Sequence, residues 1–156
     1  MQKILFKRLR ENAVLPTQAT EFAGGWDLTV SEIEKKSDDF YICKLGWSAA
    51  IPAGFKLTLV PRSSITNTKW IMQNSPGLGD SDYRGEYQIR FRAIPSSIEP
   101  SSDNDYPTLC YPEFPFNVGD RIGQVYLEEV ISVVWTEVDE LPDTIRGDGG
   151  FGSTGK

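Results

Sequence analysis

One short stretch of the chain concentrates the side chains that could do chemistry. Residues 77–86 read Gly-Leu-Gly-Asp-Ser-Asp-Tyr-Arg-Gly-Glu, so that Asp80, Asp82 and Tyr83 supply two carboxylates and an amphipathic ring between glycines. The glycines would permit positive φ angles and a close approach of the backbone to another group. The same composition also suits the tip of a β-hairpin, because Asp, Ser and Gly favour turns. The stretch by itself leaves both interpretations open.

Composition narrows the chemistry that this stretch could perform. The 156 residues contain no histidine, which excludes histidine-based acid–base catalysis, Ser-His triads and His-ligated zinc. Any hydrolysis would therefore rest on Asp or Glu, together with Mg²⁺. The net charge of −6 argues against binding to duplex nucleic acid, which needs a basic face. A few local arginines and a metal ion could still hold a phosphorylated small molecule.

Length and sequence pattern indicate one globular domain without a membrane span. A chain of 156 residues can bury a core without covalent staples, and no run of 18 apolar residues occurs. The first ten residues lack the apolar region of a secretory signal. Cys43 and Cys110 have no metal-ligand spacing and are expected to be reduced thiols. We therefore expect a cytoplasmic protein, or one in the host cytoplasm if the source is viral.

Short strands separated by turn residues predict an all-β fold, either a barrel or a jelly-roll-like sandwich. Strands are predicted from alternation and from β-branched and aromatic content, at 26–30, 40–45, 49–51, 55–60, 87–92, within 118–127 and at 131–135. Three segments are less regular. They are interpreted as a first strand or irregular arm at 1–12, a charged turn at 31–39, and a short helix, or alternatively a strand, at 65–72.

Two segments depart from the strand-and-turn pattern. Residues 93–117 contain five prolines in a Ser- and Asp-rich sequence, which predicts a long, partly extended excursion on the surface. Residues 146–156 contain five glycines and one aromatic residue, and are interpreted as a closing flap or a floppy tail. We therefore divide the chain into a β-barrel domain, 1–145, which includes the proline-rich insertion, and a flexible C-terminal arm, 146–156.

Five segments, taken in order, resemble the motifs of the trimeric dUTPase (dUTP diphosphatase) family. They are 24–28 (Gly-Gly-Trp-Asp-Leu), 61–64 (Pro-Arg-Ser-Ser), 77–85 in the stretch described above, 119–124 (Gly-Asp-Arg-Ile-Gly-Gln) and 146–155 (Arg-Gly-Asp-Gly-Gly-Phe-Gly-Ser-Thr-Gly). Gly79 stands where the family pattern has isoleucine, and Gly123 where it has alanine, so we expect looser packing at both positions. The insertion is longer than the family's usual link between its third and fourth motifs.

The resemblance implies an activity, an assembly and a set of site residues. The activity is Mg²⁺-dependent hydrolysis of dUTP to dUMP and pyrophosphate, which lowers dUTP and supplies dUMP for dTMP synthesis. The fold is a distorted β-barrel with one short helix, and the assembly is a homotrimer with shared active sites. Asp80 is implied as the base that activates water for attack on the α-phosphorus, with Gln124 beside that water. Asp27 is placed in the outer shell of Mg²⁺, bound through water.

The same resemblance assigns the substrate-binding residues. Tyr83 is expected to pack on the deoxyribose. The remaining residues are assigned to binding the phosphates, to binding the uracil, or to the closing tail. They are Arg62, Ser63, Ser64, Asn74, Gly77, Arg146, Phe151, Gly152, Ser153 and Thr154.

Two alternatives stay open beside this interpretation. A dCTP deaminase would share the fold and a similar Arg-Ser-Ser segment, but its third motif carries Pro-Gly-Phe where this chain has Ser-Asp-Tyr at 81–83, and it lacks the glycine-rich tail. A nucleotide-binding regulatory module is the second alternative, as an added role in which the insertion at 93–117 engages a protein partner.

Overall fold

Short antiparallel strands make up nearly all of the regular structure. The computed structural model describes residues 2–100 and 107–150. Within these ranges there are twelve strands and one short 3₁₀ turn, and no helix is long and apolar enough to cross a membrane. The strands are β1 (Leu5–Arg8), β2 (Trp26–Thr29), β3 (Glu32–Ser37), β4 (Phe40–Lys44), β5 (Trp47–Ala50), β6 (Phe55–Pro61), β7 (Trp70–Met72), β8 (Gly77–Gly79), β9 (Gln88–Ala93), β10 (Ser97–Glu99), β11 (Thr108–Cys110) and β12 (Arg121–Glu129). The all-β prediction is confirmed.

Two four-stranded sheets enclose the hydrophobic core. Their strand orders are β2-β12-β6-β8 and β3-β4-β9-β7, while β1 pairs with β5 and β10 pairs with β11. Strand β9 shows why the pattern was readable, since Ile89 and Phe91 are buried and Arg90 between them is exposed. The free thiol of Cys43 also lies in the core, where burial raises its pKa to about 12.

The charged turn predicted at 31–39 is wrong, because residues Glu32–Ser37 form strand β3. This strand pairs with β4 in a hairpin in which Glu32 stands opposite Lys44, and the Lys44 Nζ donates to the Glu32 carboxylate at 2.7 Å. Cross-strand charge pairs can support an exposed strand without strict apolar alternation. A sequence pattern that relies on hydrophobic periodicity therefore misses it.

The segment at 65–72 contains both of the elements that were considered for it. The short helix is a 3₁₀ turn at Ser63–Asn67, two residues earlier than predicted. The rest of the segment is strand β7, in which Trp70 stands opposite Ala93 of β9. A buried tryptophan and a β-branched isoleucine favour this strand over a continued helix.

The strand predicted at 131–135 is also wrong for the single chain. Residues 130–138 are irregular, with Val134 91% and Trp135 94% exposed. A strand needs an edge to pair with, and within the described ranges this segment pairs with none. The structure thus leaves a strand-like apolar segment uncovered.

The proline-rich insertion is anchored at its C-terminal end. Phe114 stacks on Tyr41 at a centroid distance of 4.2 Å and meets Trp70 edge-on at 5.0 Å. The Trp70 indole N–H donates to the carbonyl of Glu113 at 3.1 Å. Further out, β10 and β11 form a hairpin that pairs only with itself among the described strands. The described residues of the insertion therefore form a hairpin on an aromatic base, which agrees with a partly extended excursion.

Candidate functional site

Asp27 stands at the centre of a compact polar cluster. It lies in β2 and is only 4% exposed. Its carboxylate accepts hydrogen bonds from Arg121 Nη1 at 2.9 Å and Gln124 Nε2 at 3.2 Å, and Arg62 Nε lies 3.3 Å from the Asp27 Oδ1. Two cations and an amide thus offset the cost of burying this carboxylate. We call Asp27, Arg62, Arg121 and Gln124 the Asp27 cluster.

The register of strand β12 brings this cluster together. Strand β12 runs between β2 and β6, so that Gln124 stands opposite Asp27 on one side and Val60 on the other. Strand β6 then ends at Pro61, and Arg62 leads into the 3₁₀ turn, where Ser63 is exposed. The segments that resemble the first, second and fourth family motifs therefore meet at one end of one sheet.

The chemistry of this sheet end suits an anion. Arg62 and Arg121 present guanidinium groups, which bind phosphate oxygens with directed hydrogen bonds. Arg62 is further oriented by a hydrogen bond from its Nη1 to the Arg121 carbonyl at 3.3 Å. The hydroxyl-bearing residues Ser63 and Ser64 follow at the exposed start of the turn. A phosphate placed here would meet cations and hydroxyl donors without approaching a free carboxylate.

Gly123, in the same strand, is packed tightly. A Cβ placed on it would clash with the Ile89 side chain and lie 3.2 Å from the Val60 carbonyl oxygen. The expectation of looser packing is therefore wrong at this position, because Ile89 already occupies the space.

A second candidate element is the acidic loop, residues 80–87, which follows β8. The Tyr83 hydroxyl donates to the Glu86 carbonyl at 3.0 Å, and its ring lies so close to Gly85 that a Cβ there would clash. The Glu86 carboxylate pairs with Arg10 and accepts the Gly46 N–H at 2.9 Å. The loop is thus tied to the body of the protein.

The glycines of this region serve close approach and not unusual backbone angles. None of Gly77, Gly79 and Gly85 is among the described glycines with positive φ. A Cβ on Gly77 would lie 3.0 Å from the Asn74 carbonyl oxygen, and one on Gly79 would lie 2.6 Å from Tyr87. The expectation of looser packing at Gly79 is therefore wrong as well.

Within one chain, Asp80 does not join the Asp27 cluster. Gly79 stands opposite Leu57, whereas Gly123 stands opposite Pro61, four residues further along β6. That separation is about 13 Å at the usual rise of a strand. Strand β8 is antiparallel to β6, so Asp80 continues away from the Pro61 end. The exposed Asp80 and the Asp27 cluster thus occupy opposite ends of this sheet.

Asn74 ties the segment before β8 to strand β9. Its side-chain amide donates to the Gln88 carbonyl at 3.2 Å, and its Oδ1 accepts the Arg90 N–H at 2.8 Å. The side chain is therefore engaged in holding the 74–77 segment in place. The main-chain groups of this segment therefore remain available to bind a ligand.

The C-terminal arm is described only in part. Arg146 is exposed and its Nε donates to the Gly149 carbonyl at 2.8 Å. The predicted binding residues Phe151, Gly152, Ser153 and Thr154 lie outside the described residues.

The donor set around Asp27 suits a hydrated magnesium ion brought in by a ligand. In the described ranges, no group of three or more His, Cys, Asp or Glu residues could hold a metal on its own. Both oxygens of Asp27 already accept from nitrogen donors. Mg²⁺ keeps several of its waters and is often held largely by substrate phosphates. Asp27 therefore fits an outer-shell contact through water better than direct coordination.

Comparison with known proteins identifies the family. A family model described as dUTPase matches residues 11–98, which is more than half of the chain. The chain belongs to the dUTPase family. The deoxyuridine 5′-triphosphate nucleotidohydrolase of Helicobacter pylori strain Shi470 is 33% identical over 155 residues, covering 98% of this chain and 97% of the relative. The Fusobacterium nucleatum protein of the same name is 35% identical over 161 residues, with full coverage of both chains.

Solved structures of dUTPases share the fold. The Staphylococcus bacteriophage 80alpha dUTPase, in complex with dUPNHPP, matches with a TM-score of 0.80 at 21% identity over the full length of both chains. The dUTPase from Staphylococcus aureus phage phi11 matches with a TM-score of 0.68 over 91% of this chain and 99% of that one. The predicted family and the predicted all-β dUTPase fold are therefore confirmed.

Three residues of this dUTPase domain stand out only in the structure. Arg121 lies inside the fourth motif, beside Gln124, and that position was its only signal in the sequence. Glu86 anchors the acidic loop through Arg10, a residue 76 positions away. Tyr87 lies two residues after the third motif and packs on Gly79. The last two contacts are long-range or depend on side-chain packing, and no short motif encodes them.

Proposed function

We propose that this chain hydrolyses dUTP to dUMP and pyrophosphate in a Mg²⁺-dependent reaction. Its curated relatives are deoxyuridine 5′-triphosphate nucleotidohydrolases across almost the whole length of the chain. The observation that carries the proposal is the Asp27 cluster, which aims two arginines and an amide at one sheet end beside Ser63 and Ser64. No observation favours the dCTP deaminase alternative.

The proposed reaction divides the work between the two ends of the sheet. Arg62, Ser63 and Ser64 bind phosphate oxygens, and Gln124 holds the attacking water near the α-phosphorus. Asp80 takes the proton from that water as it attacks, the bond from the α-phosphorus to the bridging oxygen breaks, and pyrophosphate leaves. Bound to the triphosphate, Mg²⁺ would neutralise charge on the phosphate oxygens. Asp27 keeps Arg62 and Gln124 in place and would hold the hydrated ion through water.

The remaining residues are proposed to select and enclose the nucleotide. Main-chain groups near Asn74 and Gly77 would pair with uracil, because the Asn74 side chain is already bound to β9. Tyr83 would pack on the deoxyribose and leave no room for a 2′-hydroxyl. The arm would close over the site, with Phe151 on uracil and the phosphates held by Arg146, Gly152, Ser153 and Thr154. Closure would exclude water and strengthen the charged contacts.

We further propose that the working assembly is a homotrimer with shared active sites. The separation of Asp80 from the Asp27 cluster supports it, because one chain alone does not complete the site. Each site would then combine the Asp27 cluster of one subunit with Asp80 of a neighbour. A closed, symmetric oligomer repeats that contact at every subunit.

An apolar groove supports the same assembly. Its volume is about 280 Å³, and its lining includes Phe6, Trp47 and Leu127. The buried indole N–H of Trp47 has no acceptor among the described residues. The uncovered segment at 130–138 has the apolar, strand-like sequence that could cover such a groove on a neighbouring copy. If the 130–138 segment of one copy covered the groove of a neighbour, the exposed segment and the open groove would both be buried.

The activity is tested with a panel of nucleotides. We expect rapid pyrophosphate release from dUTP with Mg²⁺, and release from dCTP, UTP and dTTP that is lower by at least about 10²-fold. Chelation of the metal with EDTA should abolish the reaction, and added Mg²⁺ should restore it. Comparable release from several nucleotides would contradict the proposed selectivity. Formation of ammonia from dCTP would instead favour a deaminase.

A protein partner at the insertion is proposed as an added role, because the hairpin exposes apolar side chains. Ile98 and Leu109 stand opposite each other on β10 and β11 and are both exposed.

The alternative that the insertion serves catalysis is tested by replacing residues 98–109 with Asn-Gly, which suits a two-residue hairpin turn. We expect kcat, KM and melting temperature to stay within about twofold and a few degrees of the parent, because Phe114 keeps the anchored base. A large loss of kcat would contradict a separate role for the hairpin.

A further inference from the structure

The phenol ring of Tyr87 occupies the space that a side chain at position 79 would need. A Cβ on Gly79 would lie 2.6 Å from both the hydroxyl oxygen and Cε1 of Tyr87, and 3.0 Å from its Cζ. Gly79 directly precedes Asp80. The small residue at position 79 and the large one at position 87 therefore form a complementary pair, and this pair brings a phenolic hydroxyl against the backbone next to Asp80.

The hydroxyl of Tyr87 is a buried donor without a partner. Tyr87 is 4% exposed, and its hydroxyl finds no hydrogen-bond partner among the described residues. Buried polar groups are nearly always hydrogen-bonded, so an unpaired one calls for a missing acceptor. Burial, with Tyr83 and Asp80 adding to it against the opposing effect of Arg84, raises the pKa of Tyr87 to about 12. The group therefore stays protonated and able to donate at any working pH.

The position of this hydroxyl is fixed by the rest of the fold. The Tyr87 N–H donates to the Trp47 carbonyl, and the Leu45 N–H donates to the Tyr87 carbonyl, both at 3.0 Å. The ring stacks on Trp47 at 4.7 Å and meets Tyr83 edge-on at 5.4 Å. A donor held in this way by two backbone hydrogen bonds and two rings can orient a more exposed neighbour.

We propose that Tyr87 is a positioning residue for Asp80, its hydroxyl donating a hydrogen bond to the Asp80 carboxylate, directly or through one water. The proposal rests on the proposed function, because it takes Asp80 as the base. Such a bond would fix the direction of the carboxylate toward the attacking water and favour its ionised form. It would also supply the acceptor that the buried hydroxyl lacks.

The test removes the hydroxyl and keeps the ring. In Tyr87→Phe we expect kcat to fall about tenfold, with KM for dUTP nearly unchanged, because orientation of the base acts on the chemical step. The acidic limb of the kcat–pH profile should move upward by about one pH unit, since the bond favours the charged carboxylate. The melting temperature should not fall, because the ring packing is preserved. A kcat and a pH profile equal to those of the parent would overturn the proposal.

A repacked variant distinguishes hydrogen bonding by the Tyr87 hydroxyl from the filling of space by the Tyr87 ring. Tyr87→Val combined with Gly79→Ile places the side chain of the family pattern at position 79 and removes the ring that would clash with it. We expect this variant to show the reduced kcat and shifted acidic limb of Tyr87→Phe. Parental kinetics in it would mean that Tyr87 only fills space, which would overturn the proposal. If it does not fold, Tyr87→Phe alone decides.

The Asp80→Asn variant distinguishes the proposed role of Tyr87 from the proposed function on which that role rests. In that background, Tyr87→Phe should cause no further loss of kcat, because the two residues act as a unit. A parental kcat in Asp80→Asn would refute the role of Asp80 as the base, whereas a parent protein that does not hydrolyse dUTP would refute the proposed function itself. An inactive Asp80→Asn beside a fully active Tyr87→Phe would refute only the role of Tyr87.

Discussion

Replacement of Asp80 by asparagine should lower kcat for dUTP hydrolysis by about 10²- to 10⁴-fold, the usual contribution of a general base. The amide keeps the size of the side chain but cannot take the proton of the attacking water. The fold should be unaffected, because Asp80 is exposed and its described hydrogen bond, from the Tyr83 N–H to the Asp80 carbonyl at 3.1 Å, uses the main chain. Steady-state pyrophosphate release and thermal unfolding measure the two quantities.

Asp82→Asn is the matched control, since it makes the same change two residues away in the same loop. We expect its kcat to stay within a few-fold of the parent, because the proposed mechanism gives Asp82 no contact with the substrate or the attacking water. An inactive Asp82→Asn together with an active Asp80→Asn would exchange the roles of the two carboxylates. Equal, small effects of both would leave the reaction without an aspartate base in this loop and would contradict the proposed mechanism.

The sequence was most informative where one strand face meets the core. Ile89 and Phe91 alternate with arginines, and that period placed β9 almost at its observed bounds. Strand β3 was missed because charge pairs such as Glu32 with Lys44 hold it in place of apolar contacts. The segment at 131–135 shows the opposite case. It has the composition of a strand, but composition does not specify whether an edge is available within the same chain.

The candidate site could be predicted as a set of residues but not as an arrangement. Asp27 and Gln124 are 97 positions apart, and only the placement of β12 between β2 and β6 joins them. Local motifs carry no information about that register. The pairing of Gly79 with Tyr87 was hidden for a related reason, since a glycine suggests backbone freedom when its neighbour in space is unknown.

Because the site is divided between the two ends of a sheet, mixing two inactive variants should restore activity. Arg62→Ala removes a guanidinium from the Asp27 cluster, and Asp80→Asn removes the base, so each variant alone should be nearly inactive. If each site takes Arg62 from one subunit and Asp80 from another, subunits of the two variants can complete a site together. Random mixing of equal amounts should restore about a quarter of the parental kcat per site, because each of the two contributing subunits is intact at the needed residue about half of the time.

The control for this mixing experiment places both substitutions in one chain. Mixed with Asp80→Asn, the Arg62→Ala/Asp80→Asn double variant supplies no intact base in any subunit, so activity should stay at the background level. Co-expression with two different affinity tags confirms that mixed oligomers form, and pyrophosphate release from the unfractionated mixture measures its activity. A mixture of the single variants no more active than its components would contradict shared sites. That result would require Asp80 to reach the Asp27 cluster within one chain, although the two are separated by at least about 13 Å along strand β6.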